Sequence, residues 1–91
     1  MEFEWDSDKG NKNIKKHSVS FNEAATIFGD PLSMTFYDPD HSIDENRYIT
    51  IGLSYLGKLL IVSHTDRVER IRIIATHQES KFYEEQKLHK N

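Results

Sequence analysis

Cysteine is absent from the 91 residues. That removes disulfides, thiol nucleophiles and thiolate metal sites, and it fits a reducing compartment. No apolar run approaches the roughly 18 residues of a membrane-spanning helix. The opening Met1-Glu2-Phe3-Glu4-Trp5-Asp6 is acidic and has no apolar h-region, so no secretory leader and no membrane partner are expected, and a cytoplasmic location is. Basic charge is also in short supply: 12 Lys and Arg against 15 Asp and Glu give a net charge of −3. A chain-wide basic field for nucleic acid is therefore missing, and any contact with RNA must go through a local patch. The histidines His17, His41, His64, His77 and His89 are scattered, with neither HxxxH nor HxH spacing, and no metal site is expected. There is no G-x-S-x-G, no glycine-rich phosphate loop and no dinucleotide fingerprint, so no cofactor is expected either. Apolar residues make up 36%, enough for one modest core. A single domain over residues 1–91 is the expectation, with little stability to spare.

What charge there is falls in blocks. Glu2, Glu4, Asp6 and Asp8 precede any base. Lys9, Lys12, Lys15 and Lys16 follow with no acid among them. Five acids run from Asp30 to Glu45 without a base, and Lys58, Arg67, Arg70 and Arg72 then outnumber Asp66 and Glu69. Such blocks describe either a solvated surface or a basic cleft between acidic flanks, and only the fold decides between them.

The hydropathy pattern predicts an α+β domain. Phe3 to Trp5 alternates as a short strand. Asp6 suits an N-cap for a helix over Ser7 to His17, whose only apolar side chain is Ile14 and whose Lys9, Lys12, Asn13 and Lys16 share one sector. Ser20-Phe21-Asn22-Glu23 reads as a capping box. Phe21, Ala24, Ala25 and Phe28 then supply a buried helical face, which Gly29 and Pro31 end. Strands are predicted over Ser33–Tyr37, Tyr48–Ser54, Leu59–Val62 and Arg70–Ala75. Asp38–Ser42 forms a loop, Gly57 a turn at positive φ, and Asp66–Glu69 a second turn. Ile49, Ile51 and Leu53 share one face of their strand. Ile71, Ile73 and Ala75 share another, opposite Arg70, Arg72 and Ile74. Thr76 and Glu79 read as a second capping box opening a C-terminal helix to about Lys87. The order β-α-α-β-β-β-β-α, with short links, points to a four-stranded antiparallel meander with helices on one side.

One chemistry fits the cations. Arg70 and Arg72 alternate along a strand, so both guanidinium groups leave the same face, and their planar forks match phosphate. His77 can exchange a proton near neutral pH. With Lys9, Lys12 and Lys16 guiding a backbone, and Trp5 or Tyr48 stacking a base, these residues suffice for RNA cleavage without metal: a base takes the ribose 2′-OH proton, the oxygen attacks phosphorus, and an acid protonates the leaving 5′ oxygen. The competing reading has Arg70 and Arg72 merely paired with acids on a solvated face, with Trp5 and Tyr48 as core or sheet-edge aromatics.

The run Phe3-Glu4-Trp5-Asp6-x-x-Lys9-x-x-x-Asn13-x-x-Lys16-His17-x-Val19-Ser20-Phe21-x-Glu23-Ala24 resembles the start of the BrnT-type toxins. Phe28-Gly29-Asp30-Pro31, Asp38-x-Asp40-His41-Ser42, Arg47 to Ser54, and His64-Thr65-Asp66-Arg67 with Ile71-Arg72-Ile73-Ile74 continue the likeness in order over about residues 2–85. The resemblance implies a RelE-like fold and an endoribonuclease toxin of a type II pair. It also implies a small ribbon-helix-helix, BrnA-like antitoxin that neutralises the toxin and represses the shared operon, in a 2:2 complex. It supports Lys9, Lys16 and Arg72 as site residues more than His77. Ala75-Thr76-His77 stands where the family has Ser-Ala-Arg, the following segment carries lysines among glutamates where the family is arginine-rich, and Ser18 replaces a frequent glycine. A catalytically decayed antitoxin-binding module acting as operon co-regulator is the rival expectation.

Overall fold

The computed structural model describes residues 1–79. Its elements are strand β1 (Glu2–Glu4), helix α1 (Ser7–His17), helix α2 (Phe21–Ala25), strand β2 (Met34–Tyr37), strand β3 (Arg47–Leu53), strand β4 (Leu59–Arg67) and strand β5 (Arg70–Gln78). Single 3-10 turns occupy Thr26–Gly29 and Pro39–His41. Among the described residues no helix is long and apolar enough to cross a membrane.

The first helix forms where capping predicts. The Asp6 carboxylate accepts hydrogen bonds from the Asp8 and Lys9 amides at 2.8 and 3.3 Å, and Lys15, Lys16 and His17 fill the last turn, where cations complement the helix dipole. Ser18, at φ 59°, turns the chain out of the helix. At α2 only half of the expected box is present. Ser20 Oγ accepts from the Glu23 amide, but the Glu23 carboxylate, buried, accepts from Ser54 Oγ at 2.7 Å across the fold. The chain tightens into the 3-10 turn before Gly29, which ends it without a positive φ. Gly57, by contrast, sits at φ 76° in the β3–β4 turn, as expected.

The sheet corrects the sequence reading. It has five strands in the order β1-β5-β4-β3-β2, and β1 runs parallel to β5, so it is mixed rather than four-stranded and antiparallel. The acids of β1 find the arginines of β5: Glu2 pairs with Arg70 and Glu4 with Arg72 in the ladder. The helices cover one face. Val19, Phe21, Ala24 and Ile27 pack there against Leu60, Val62 and Ile73. On β3 it is Thr50 and Gly52 that point into this layer, because Ile27 needs the space: a Cβ at Gly52 would lie 3.2 Å from that of Ile27 and 3.0 Å from that of Ser33. Ile49, Ile51 and Leu53 therefore share the open face with Met34 and Phe36, their neighbours or partners in the ladder. Phe36, Leu53 and Met34 are 47, 49 and 58% exposed.

Two corrections concern β5. A bulge between Ser63 and His64 of β4 leaves Ile74 as the extra residue, since Ser63 pairs with Ala75 and His64 with Ile73. Ala75 thus leaves the face of Ile73. Thr76 is a buried strand residue opposite Val62, not a helix cap. The remainder of the expected C-terminal helix lies outside the described residues.

Candidate nucleic-acid interface

β1 reaches only as far as Arg72, so the rest of β5 has no strand beside it. The Asn13 side chain of α1 takes the missing place. Its amide nitrogen donates to the carbonyls of Thr76 and Val19, both at 2.9 Å, and its oxygen accepts from the Thr76 amide at 3.2 Å. One side chain thereby satisfies both backbone groups of Thr76 and clips α1 along the edge of β5. Gly10, one turn earlier, faces Trp5 and Phe21, and a Cβ there would make ordinary contact with both at 3.6 Å.

This clip decides which way the lysines face. At about 100° per residue, Ile14 and Asn11 lie to one side of Asn13, and Lys9, Lys12 and Lys16 to the other. Ile14 and Asn11 border a hollow shared with Phe21 and Asn22, on the helix-covered side. Lys9, Lys12 and Lys16 accordingly leave α1 on the side away from that hollow, and all three are exposed. A charge effect at one end of α1 and a ring contact at the other link it to β5. The Asp6 carboxyl is held below its usual range first by its hydrogen bonds from the Lys9 and Asp8 amides and then by the positive charges of both Lys9 and Arg72. At the other end of the helix, the His17 and His77 rings lie 5.8 Å apart. The bulge makes this possible. In a regular strand Arg72 and His77, five residues apart, would point to opposite faces. The extra residue Ile74 brings both to the open face, opposite Thr65 and Ile61 respectively.

The arginines are not free. Arg72 lies 3.8 Å and Arg70 3.9 Å from the same Glu4 carboxylate oxygen, Arg67 lies 3.7 Å from its other oxygen, and Glu2 and Glu45 take further contacts with Arg70 and Arg67. The hollow of about 380 Å³ beside them is lined by Arg67 and Arg70 but equally by Asp66 and Glu69. At these distances and exposures each pair contributes at most about 1 kcal/mol. Among the described residues no carboxylate comes within salt-bridge distance of Lys9, Lys12, Lys15 or Lys16.

Trp5 and Tyr48 lie elsewhere. Trp5 meets Phe21 edge-on in the helix layer. Tyr48 stacks on His64 on the same covered side, so the structure does not bring these two aromatics to the cations. His64 itself is buried and bonded to Thr50 at 2.7 Å and to Asp66 at 3.1 Å. Burial pushes its pKa down, and the Asp66 carboxylate partly opposes this. His17, for which sequence reading gives no role, is the residue that the fold adds. Its only sequence signal is its place beside Lys16 at the end of a lysine-bearing helix. Among the described residues no three His, Asp or Glu side chains form a metal-ligating group.

Exposed cations on α1 and β5, two elements joined by Asn13, are the kind of side chains that meet a polyanion. The comparisons identify the class. A family model described as the ribonuclease toxin BrnT of type II toxin-antitoxin systems matches residues 5–81, and the chain belongs to this family. The crystal structure of the Brucella abortus ribonuclease toxin BrnT shares the fold with a TM-score of 0.62 at 21% identity, over 86% of this chain and 95% of that one. No curated protein sequence matches. Membership of a type II toxin family implies an antitoxin partner.

Proposed function

We propose that the protein is a metal-independent endoribonuclease toxin that cleaves RNA in the cytoplasm, thereby stopping translation, along the α1–β5 seam. The observation that carries this reading is that Asn13 fixes the lysine-bearing helix α1 to β5, the strand of Arg72 and His77. Lys9, Lys12 and Lys16 attract the backbone. Arg72 and His77 sit about 13 Å apart along the ladder, four steps of about 3.3 Å. Arg72 therefore grips a phosphate flanking the one that His77 serves by moving a proton. Arg70, deeper in its acidic partners, assists once RNA phosphates displace Glu2 and Glu4.

The antitoxin completes the fold's surface. Phe36, Leu53 and Met34 leave apolar area on the open face, which a helix of a ribbon-helix-helix, BrnA-like antitoxin covers in a 2:2 complex that binds operator DNA through the antitoxin. The test is purified protein with RNA in EDTA, with and without antitoxin. Cleavage should persist in chelator and stop when antitoxin is added. Abolition by EDTA with rescue by a divalent ion would overturn metal independence. Harmless accumulation in cells lacking antitoxin, with intact RNA, would identify a binding module without catalysis.

A further inference from the structure

Four histidines lie among the described residues, and the fold treats them in two ways. His41 is bonded to Asp38 at 2.8 Å, and His64 to Thr50 and Asp66. His17 and His77 are exposed and have no hydrogen-bond partner among the described residues. These two unengaged rings come from chain segments 60 positions apart, and they meet each other with centroids 5.8 Å apart and planes tilted by 42°. Three separate features produce the meeting. Asn13 fixes the helix to Thr76, the residue before His77. The bulge at Ile74 turns His77 to the open face. His17 stands one helical turn after Asn13, in the last turn of α1. Lys15 and Lys16 precede His17, and Glu79 follows His77 by two positions, so a polyanion reaching the pair passes the lysine flank.

We propose that His17 and His77 form one acid–base couple at the scissile phosphodiester, both of them catalytic residues of the seam. This inference rests on the ribonuclease reading above. The spacing of the rings lets one phosphoryl group touch both by hydrogen bonds of ordinary length. One imidazole, neutral, takes the proton of the ribose 2′-OH as that oxygen bonds to phosphorus. The other, as imidazolium, gives its proton to the 5′ oxygen as the P–O5′ bond breaks. The products are a 2′,3′-cyclic phosphate and a 5′-hydroxyl. One ring gains a proton and the other loses one, and exchange with water resets both. No metal and no co-reactant enters the balance.

The experiment uses the full chain in EDTA, a mixed-sequence RNA oligonucleotide, and the nucleoside 3′-(4-nitrophenyl phosphate) esters as a second substrate. His17→Gln and His77→Gln should each lower RNA cleavage at least 100-fold, within the range for loss of general acid or base. The double variant should be little worse than either, because the two groups act as a unit. The nitrophenyl leaving group needs no protonation, so the variant lacking the acid should recover most of its rate on that ester while the variant lacking the base stays slow. Wild-type protein should show a bell-shaped pH–rate profile, with one limb missing in each variant. Circular dichroism reports folding of these surface variants. Folded variants that cleave RNA within threefold of wild type would overturn the couple, and so would equal losses on both substrates. Wild-type protein that leaves RNA intact would overturn the ribonuclease reading itself, and the couple with it.

Discussion

The molecule carries two groups of cations, and they differ in what faces them. At the β1 end, Arg67, Arg70 and Arg72 are surrounded by Glu2, Glu4 and Glu45. Along α1, four lysines stand without a carboxylate within reach among the described residues. The sequence holds the reason. The acidic opening block becomes the strand beside the basic last strand, and the basic block that follows it is left to the solvent. Counting arginines therefore overstates what the arginine end offers a phosphate. Under the ribonuclease reading proposed above, long-range attraction falls to the lysine flank, and the guanidinium groups act after an exchange of partners.

Four perturbations would break or sharpen this contrast, the largest first. Asn13→Ala should strand the Thr76 amide and carbonyl and the Val19 carbonyl, since it removes three buried hydrogen bonds. A loss of about 3 kcal/mol in urea unfolding is expected, together with cleavage, because Asn13 hydrogen-bonds α1 to β5; unchanged stability would deny the clip. Next, Arg72→Ala should lower RNA cleavage at least tenfold and relieve growth arrest while antitoxin binding persists, and undiminished cleavage would leave the arginine end with no part in the reaction. Smaller still is the exchange of charge. Glu4→Gln should tighten RNA binding and steepen the slope of log K against log salt by about 0.7 for each phosphate newly contacted, whereas Lys16→Gln should flatten it by a similar amount. A Glu4 variant with the parental slope would show that its carboxylate does not restrain the arginines. The smallest effect lies on the covered face and serves as a control for work at low pH. His64 has a lowered pKa in the folded state, so the unfolded chain binds the proton more readily. Stability should stay level above pH 6.5, the ordinary histidine value, and fall as the pH drops below it. A midpoint constant from pH 7.5 to 5.5 would contradict the burial of that ring.

Local signals were legible in the sequence and distant ones were not. Asp6, the span of α1, Ser20 and the Gly57 turn follow from capping and turn chemistry within four residues. The faces of β3 do not. Ile49, Ile51 and Leu53 look like a core stripe, yet Gly52 and Thr50 face the helices because Ile27 fills the space beside Gly52, a fact of packing across 25 positions. Thr76 with Glu79 mimics a cap, but the β-branched residue continues the strand opposite Val62, with both its amide and its carbonyl bonded to Asn13. Likewise the placing of Arg72 on the face opposite Ile71 and Ile73 was readable from spacing, while its neutralising partner Glu4 and the meeting of His17 with His77 required β1 to lie beside β5 and a bulge at Ile74. Neither pairing leaves a periodic trace.

Asn13 and Thr76 are 63 positions apart, and β1 finds its neighbour only at Arg70–Arg72. During synthesis the lysine helix leaves the ribosome early and waits for the last strand before it has anything to grip. An interrupted translation product lacking β5 leaves Asn13 with no strand to grip and the acids of β1 with no arginines beside them.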